Sequence, residues 1–167
     1  MIALAAEKVL TSPAAMELAR RVHAAHHRIV LTNGVFDLLH VGHLRYLEAA
    51  RGLGDVLIVG LNSDASTRAL KGPTRPINPA QERAELLAGL ACVDAVVIFP
   101  EATATRLIEA IRPDVWVKGG DYGSLEEALP RLPEAATVQR LGGEVRLLPF
   151  VEGRSTTLLV DRIRQGG

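Results

Sequence analysis

Short runs of β-branched and apolar residues alternate along this chain with longer stretches in which apolar residues recur every three or four positions. The first pattern marks strands and the second marks amphipathic helices. Strands are expected over 28–33, 55–61, 93–99, 115–117 and 144–148. Asp55 to Leu61 is apolar almost throughout, which predicts a strand covered on both faces. Ser12-Pro13 reads as a helix cap followed by a first-turn proline, so a leading helix is expected over about 12–26. A second helix should run from Val41 to Arg51, stopped by Gly52 and Gly54. Asn78-Pro79-Ala80-Gln81 lines up a cap, a first-turn proline and a capping-box glutamine, predicting a helix to about Leu90. Further helices are expected over 103–111, over 133–141 and from a Ser155 cap to Ile163. The stretch 62–78, rich in Gly, Pro and charge, is expected to be an irregular, mobile flap.

Strands alternating with helices predict an α/β fold, a Rossmann-like doubly wound parallel sheet of about five strands with flanking helices. The length, 167 residues with no repeat or linker, predicts one domain over 1–167 with its core over about 28–165. Nineteen Lys and Arg balance 19 Asp and Glu, and a net charge of zero argues against a nucleic-acid partner. No apolar run approaches the roughly 20 residues of a membrane helix. The apolar start is too short for a signal peptide and lacks a basic leader. The lone Cys92 suits a reducing compartment, so the expected location is cytoplasmic.

Ligands of an open parallel sheet sit beyond the carboxyl ends of its strands. The polar residues expected there are Thr32, Asn33, Gly34, Phe36 and Asp37 after the first strand, and Lys71 beyond the second. Lys118 and Asp121 follow the fourth strand; Glu152, Gly153, Ser155, Thr156 and Thr157 follow the fifth. Within this set, His40-Val41-Gly42-His43 places two imidazoles on one side of a helix's first turn. Backbone N–H groups and the helix dipole already favour an anion there, and Gly42 lets a ligand approach the backbone. A surface or capping role, or zinc held with a third ligand, stays open for the pair. Gly153-Arg154-Ser155-Thr156-Thr157 offers a second set of donors before a helix, and a plain helix cap is its alternative. Lys71 and Arg83 are candidate phosphate partners, with Arg75 a weaker one. His23, His26 and His27 end the leading helix away from the strand ends and are read as structural. Neither G-x-G-x-x-G nor G-x-x-x-x-G-K-[ST] is present, which argues against hydride transfer and a P-loop kinase.

His40-Val41-Gly42-His43 after Asn33-Gly34-Val35-Phe36-Asp37, with Gly153-Arg154-Ser155-Thr156-Thr157 near the other end, resembles the two signatures of the cytidylyltransferase-like nucleotidyltransferases. The segments 70–78, 118–122, 142–145 and 148–154 make the chain similar to the adenylyltransferase domains of ADP-heptose synthases. Glycerol-3-phosphate cytidylyltransferases are the alternative, but they carry Arg-Thr-Glu-Gly where this chain has Phe150-Val151-Glu152-Gly153, which favours ATP over CTP. A non-catalytic nucleotide-binding domain is the reading of another class. The resemblance implies transfer of AMP from ATP to a sugar 1-phosphate, with Mg²⁺ accompanying the ATP, no resident metal, and a possible homodimer. It implies that His40, His43 and Lys71 are catalytic. Thr32, Asn33, Gly34, Phe36, Gly42, Asp121, Glu152, Gly153, Ser155, Thr156 and Thr157 would bind nucleotide. Asp37, Arg83 and Lys118 would place the acceptor phosphate or order the pocket. A phosphate nucleophile has a second pKa near ~6, so it needs no general base, only positioning and preorganised donors.

Overall fold

A computed structural model describes residues 4–120, 124–149, 153 and 155–166. Six parallel strands form one sheet in the order β1-β4-β3-β2-β5-β6. They are β1 (Val9–Leu10), β2 (Ile29–Gly34), β3 (Val56–Asn62), β4 (Ala95–Phe99), β5 (Val115–Gly119) and β6 (Glu144–Leu148). The helices are α1 (Ser12–Ala24), α2 (Val41–Arg51), α3 (Asp64–Lys71), α4 (Ala80–Ala88), α5 (Thr105–Ile111), α6 (Leu125–Ala128), α7 (Pro133–Arg140) and α8 (Thr156–Arg164).

Strand alternation sorts the apolar residues into two cores. Ile29, Leu31, Ile58, Val97 and Trp116 face one side, where Ala15, Ala19 and Val22 of α1, Ile108 of α5 and Val138 of α7 cover them. Val30, Leu57, Val59, Val96 and Val117 face the other, under Leu47 and Ala50 of α2 and Ala84 and Leu87 of α4. This is the doubly wound arrangement that continuous apolar strands require. From β2 the chain builds outward through β3 and β4, then returns to add β5 and β6 on the other side. The strand order therefore reverses between β2 and β5, and a crevice opens at their carboxyl ends. The opposite end of the sheet is closed by carboxylates: Asp55, Asp94 and Asp114 each accept a backbone N–H at 2.7 Å, from Arg28, Leu57 and Ile29. His23 lies beside Asp114 there, at 3.4 Å, far from the crevice.

Three expectations change. The sheet has a sixth strand, β1, whose Val9 and Leu10 pair with Val96 and Val97. A two-residue run is too short to show a period, so only its pairing partner defines it. The expected irregular flap opens instead with helix α3. Ser63 caps it, accepting from Ser66 N at 3.2 Å, and Gly72 at φ 98° ends it. Only 72–79 remains irregular. The predicted caps also shift. Thr11, not Ser12, caps α1, accepting from Ala14 N at 3.4 Å. Asn78 does not cap α4; Pro79 takes that position, and the Asn78 amide turns to the Asp37 carbonyl at 3.4 Å.

Candidate active site

α2 begins directly over the crevice. His40 is its cap residue, and the ring Nδ1 accepts from Gly42 N at 3.1 Å. That bond uses the Nδ1 lone pair, so a neutral His40 carries its proton on Nε2. The His43 ring stacks on His40 at 3.9 Å with 23° between planes, and Phe36 packs against it at 5.3 Å. Phe36 holds φ 46°, a left-handed conformation unusual for an aromatic residue. Burial, reinforced by the neighbouring His40, pulls the His43 imidazole down to about 4. Its Nδ1 is buried without a hydrogen-bond partner. A bare lone pair is the cheaper group to leave there, so His43 is a neutral ring with its N–H on Nε2. An NMR titration of the histidine Cε1–H signals checks this: His43 should stay in its neutral form from pH 8 to pH 5, with a midpoint near 4.

The second signature arrives from the far end of the chain. Thr156 Oγ1 donates to Leu38 O at 3.3 Å, which ties the start of α8 to the loop before His40. His40, Val41, Gly153, Ser155, Leu158, Leu159 and Arg162 line one cleft of about 120 Å³. Ser155 Oγ accepts from Leu158 N at 3.1 Å, so the helix-cap reading holds for its oxygen while its hydroxyl proton remains a donor. The N–H groups of Thr156 and Thr157, in the first turn of α8, have no intrahelical acceptor. Gly153 adopts φ 70°. Asp121, Glu152 and Arg154 lie outside the described residues.

Lys118 is the penultimate residue of β5, half-buried, with its ammonium 5.8 Å from the Trp116 ring. Burial lowers its pKa; Glu134 opposes the shift, and Lys71 is near enough to add to it. Lys71, exposed at the end of α3, thus lies near Lys118, and the two come from different elements. Asn33 Oδ1 accepts from Trp116 Nε1 at 2.9 Å, which turns its NH₂ donors away from the tryptophan. A Cβ on Gly34 would meet the Phe36 ring at 3.1 Å, so the chain there has room only for glycine without a shift. Gly42, between the two histidines in sequence, is buried.

Three of the expected site residues have their side chains engaged within the protein. Thr32 is fully buried, with its hydroxyl 2.6 Å from Tyr46 Oη, so the side chain faces no nucleotide. Phe36 is nearly buried, and its ring packs against His43. Arg83 is completely buried, and of the two roles expected for it the contacts are those of pocket ordering. Its guanidinium donates to Val35 O at 2.6 Å, Asn62 O at 3.0 Å, Asn78 O at 2.9 Å and Asp64 Oδ1 at 2.7 Å. Of the two roles expected for Asp37, its contacts are those of pocket ordering. One oxygen accepts from Arg75 Nη1 at 2.8 Å, the other from Ile77 N at 2.8 Å and Asn78 N at 3.1 Å. Asp37→Ala should release this strap, and the Ile77 and Asn78 amides should exchange with deuterium about 10- to 100-fold faster, each bond to the charged group being lost. Sequence reading missed Tyr46 and Trp116, whose polar tips meet Thr32 and Asn33 at the end of β2. The only signal for Tyr46 was its place three residues after His43, on the same helix face. Among the described residues, no three His, Cys, Asp or Glu side chains converge as a metal-ligand set.

The chain is similar to proteins already described. The chain is 53% identical over 161 residues to the bifunctional protein HldE of Koribacter versatilis, covering 96% of this chain and 32% of that one. It is 51% identical over 149 residues to the protein of that name from Streptomyces coelicolor, covering 89% of this chain and 31% of that one. It thus spans about a third of the length of these curated relatives. A solved structure titled as the lipopolysaccharide core biosynthesis protein from Thermoplasma volcanium superposes with a TM-score of 0.60 at 29% identity, over 77% of this chain and 99% of that one. The cytidylyltransferase-like family model matches residues 31–162, a span that runs from β2 through both signatures into α8, and the chain belongs to that family.

Proposed function

We propose that this chain transfers AMP from ATP to a sugar 1-phosphate, D-glycero-D-manno-heptose 1-phosphate, giving ADP-heptose and pyrophosphate. The observation that carries the reading is the joining of both signatures in one cleft, with His40 beside Gly153 and Ser155. The acceptor phosphate is a nucleophile at neutral pH, so the chemical obstacle is repulsion between two polyanions. The crevice answers it with donors fixed before substrate arrives: Nε2–H of His40 and His43, the first-turn N–H groups of α8, and the ammonium groups of Lys71 and Lys118. A half-buried Lys118 regains its full basicity when a phosphate replaces the water it has lost.

Resemblance to the adenylyltransferase domains of ADP-heptose synthases supports the heptose acceptor. So do the identity to bifunctional proteins named HldE and the lipopolysaccharide title of the structural neighbour. The site's side chains are mainly donors, and both Asp37 oxygens are occupied within the protein. Mg²⁺ in this reading is therefore held by the triphosphate oxygens, where it offsets phosphate charge. A cytoplasmic homodimer belongs to the same reading. No helix among the described residues is long and apolar enough to cross a membrane.

The test is a panel of ATP, CTP, GTP and UTP against heptose 1-phosphate, glycerol 3-phosphate and glucose 1-phosphate, scored by pyrophosphate release. ATP with heptose 1-phosphate should give the highest kcat/KM. Preference for CTP with glycerol 3-phosphate would move the chain to the glycerol branch. Tight ATP binding without turnover of any acceptor would make it a binding domain.

A further inference from the structure

We propose that Tyr46 is a positioning residue that sets the histidine face of α2 against the ends of β2 and β5. The inference rests on the nucleotidyl-transfer reading above. Tyr46 follows His43 by three residues, so both side chains leave the same face of the helix. Its phenol crosses to the sheet between β2 and β5, where the strand order reverses. Tyr46 Oη donates to Val117 O on β5 at 3.1 Å and lies 2.6 Å from Thr32 Oγ1 on β2. A phenol has one proton, and it goes to Val117; the Thr32 hydroxyl is therefore the donor in the shorter contact. The direction of the chain is fixed: Thr32 donates to Tyr46, and Tyr46 donates to the Val117 carbonyl.

Each strand bond sits one residue before a crevice residue. Asn33 follows Thr32 and Lys118 follows Val117. One phenol thus joins the three pieces that the transfer needs in register: the imidazole pair, the end of β2 and the cationic end of β5. Leu47 and Ala50 also hold α2 to the sheet, but apolar packing is non-directional and leaves small slides and rotations cheap. Thr32 is fully buried, so its hydroxyl has no water to take the place of the tyrosine. This also accounts for Thr32 at a position where a nucleotide contact was expected: it acts on the ligand site through Tyr46 and the helix.

The experiment compares wild type, Tyr46→Phe, Thr32→Val and the double variant. The near-isosteric changes keep the packing, and circular dichroism with thermal melts checks the fold. Rates are expressed per ATP-binding site counted by calorimetry. Each single variant should lose about 10- to 100-fold in kcat, the scale of a small misplacement of catalytic groups, while KM for ATP stays within about threefold. The double variant should be no slower than the poorer single one, because both changes cut the same chain of bonds. A kcat within about twofold of wild type for either variant, or losses that multiply in the double variant, overturns the proposal. So does a raised KM with kcat unchanged, which belongs to a simple binding contact. The His43 Cε1–H NMR signal of the free protein gives a second readout, independent of substrate identity. It should move in both single variants and stay fixed in Glu17→Gln, on the distant face of α1. If it stays fixed in both single variants, Tyr46 does not position the histidine, whatever the reaction. Absence of turnover in wild type itself would count against the proposed reaction alone, leaving this readout to decide Tyr46.

Discussion

Replacing His43 with alanine should lower kcat by about 100- to 1,000-fold, the usual cost of one preorganised donor, and should leave the fold intact. The rate falls because the N–H on His43 Nε2 is aimed by three restraints that no water can copy: the stack on His40, the wedge of Phe36 and the buried Nδ1. The fold survives because the lost ring carries an unsatisfied buried nitrogen, so deleting it removes a penalty along with its contacts. The same substitution changes the acid side of the stability profile. The imidazole titrates at 6.5 in its ordinary state and at about 4 in the folded protein. Between those values the unfolded chain binds a proton that the folded chain refuses, so stability rises with pH across that window. The contribution of neutral His43 is complete above pH 6.5 and is lost as pH falls toward 4. Urea titrations at pH 7.5 and pH 5 should therefore differ less for His43→Ala than for wild type. Pyrophosphate-release kinetics give the rate; a His43→Ala enzyme that turns over at nearly the wild-type rate removes this residue from the chemistry.

Arg83→Ala unfolds far more easily than wild type, losing about 3–5 kcal/mol because one partner of a buried charged network is removed. For a chain of this size that corresponds to a Tm lower by about 10 °C. The guanidinium fork binds carbonyls on the β2–α2 loop, on β3 and before α4, together with the Asp64 carboxylate at the start of α3. Its loss takes a donor from three carbonyls, of which Asn62 O keeps only the long bond from Thr67 Oγ1, and leaves an empty volume where a fully buried side chain stood. Arg83→Lys should recover only part of this stability, since a point ammonium cannot reach four acceptors that a planar fork spans. Differential scanning calorimetry of the two variants, with acceptor KM measured on the folded protein, separates the roles. A ligand-binding Arg83 would give the lysine variant a wild-type Tm and a raised KM, the reverse of what the burial dictates.

The main elements and the two anion signals were legible along the chain. Continuous apolar runs such as Val56 to Leu61 identify strands buried on both faces, and they lie where expected. The helix from Val41 to Arg51 has the bounds that its glycine stop implied. The misses share a cause. β1 has two residues and exists through its pairing with β4, while α3 hides behind Gly, Pro and charge because its apolar content is low and its cap, Ser63, was read as loop.

For the candidate site, local chemistry was readable and reach was not. A His-x-G-His turn and a Gly-x-Ser-Thr-Thr turn each announce donors before a helix, because capping and spacing act within a few residues. Whether a side chain faces the crevice depends on packing partners far away in sequence. Arg83 and Thr32 look like ligand residues by type, yet Asn62 and Asp64 hold the first and Tyr46 the second. By itself, then, the sequence determined the alternation of strands and helices, the paired imidazoles and the donor-rich start of α8. Only the tertiary structure decided that those two segments share a cleft, that His43 is kept neutral and that Arg83 and Asp37 brace the site. The reason is that periodicity and capping are local, whereas burial, desolvation and the satisfaction of a guanidinium are set by what the folded chain brings alongside.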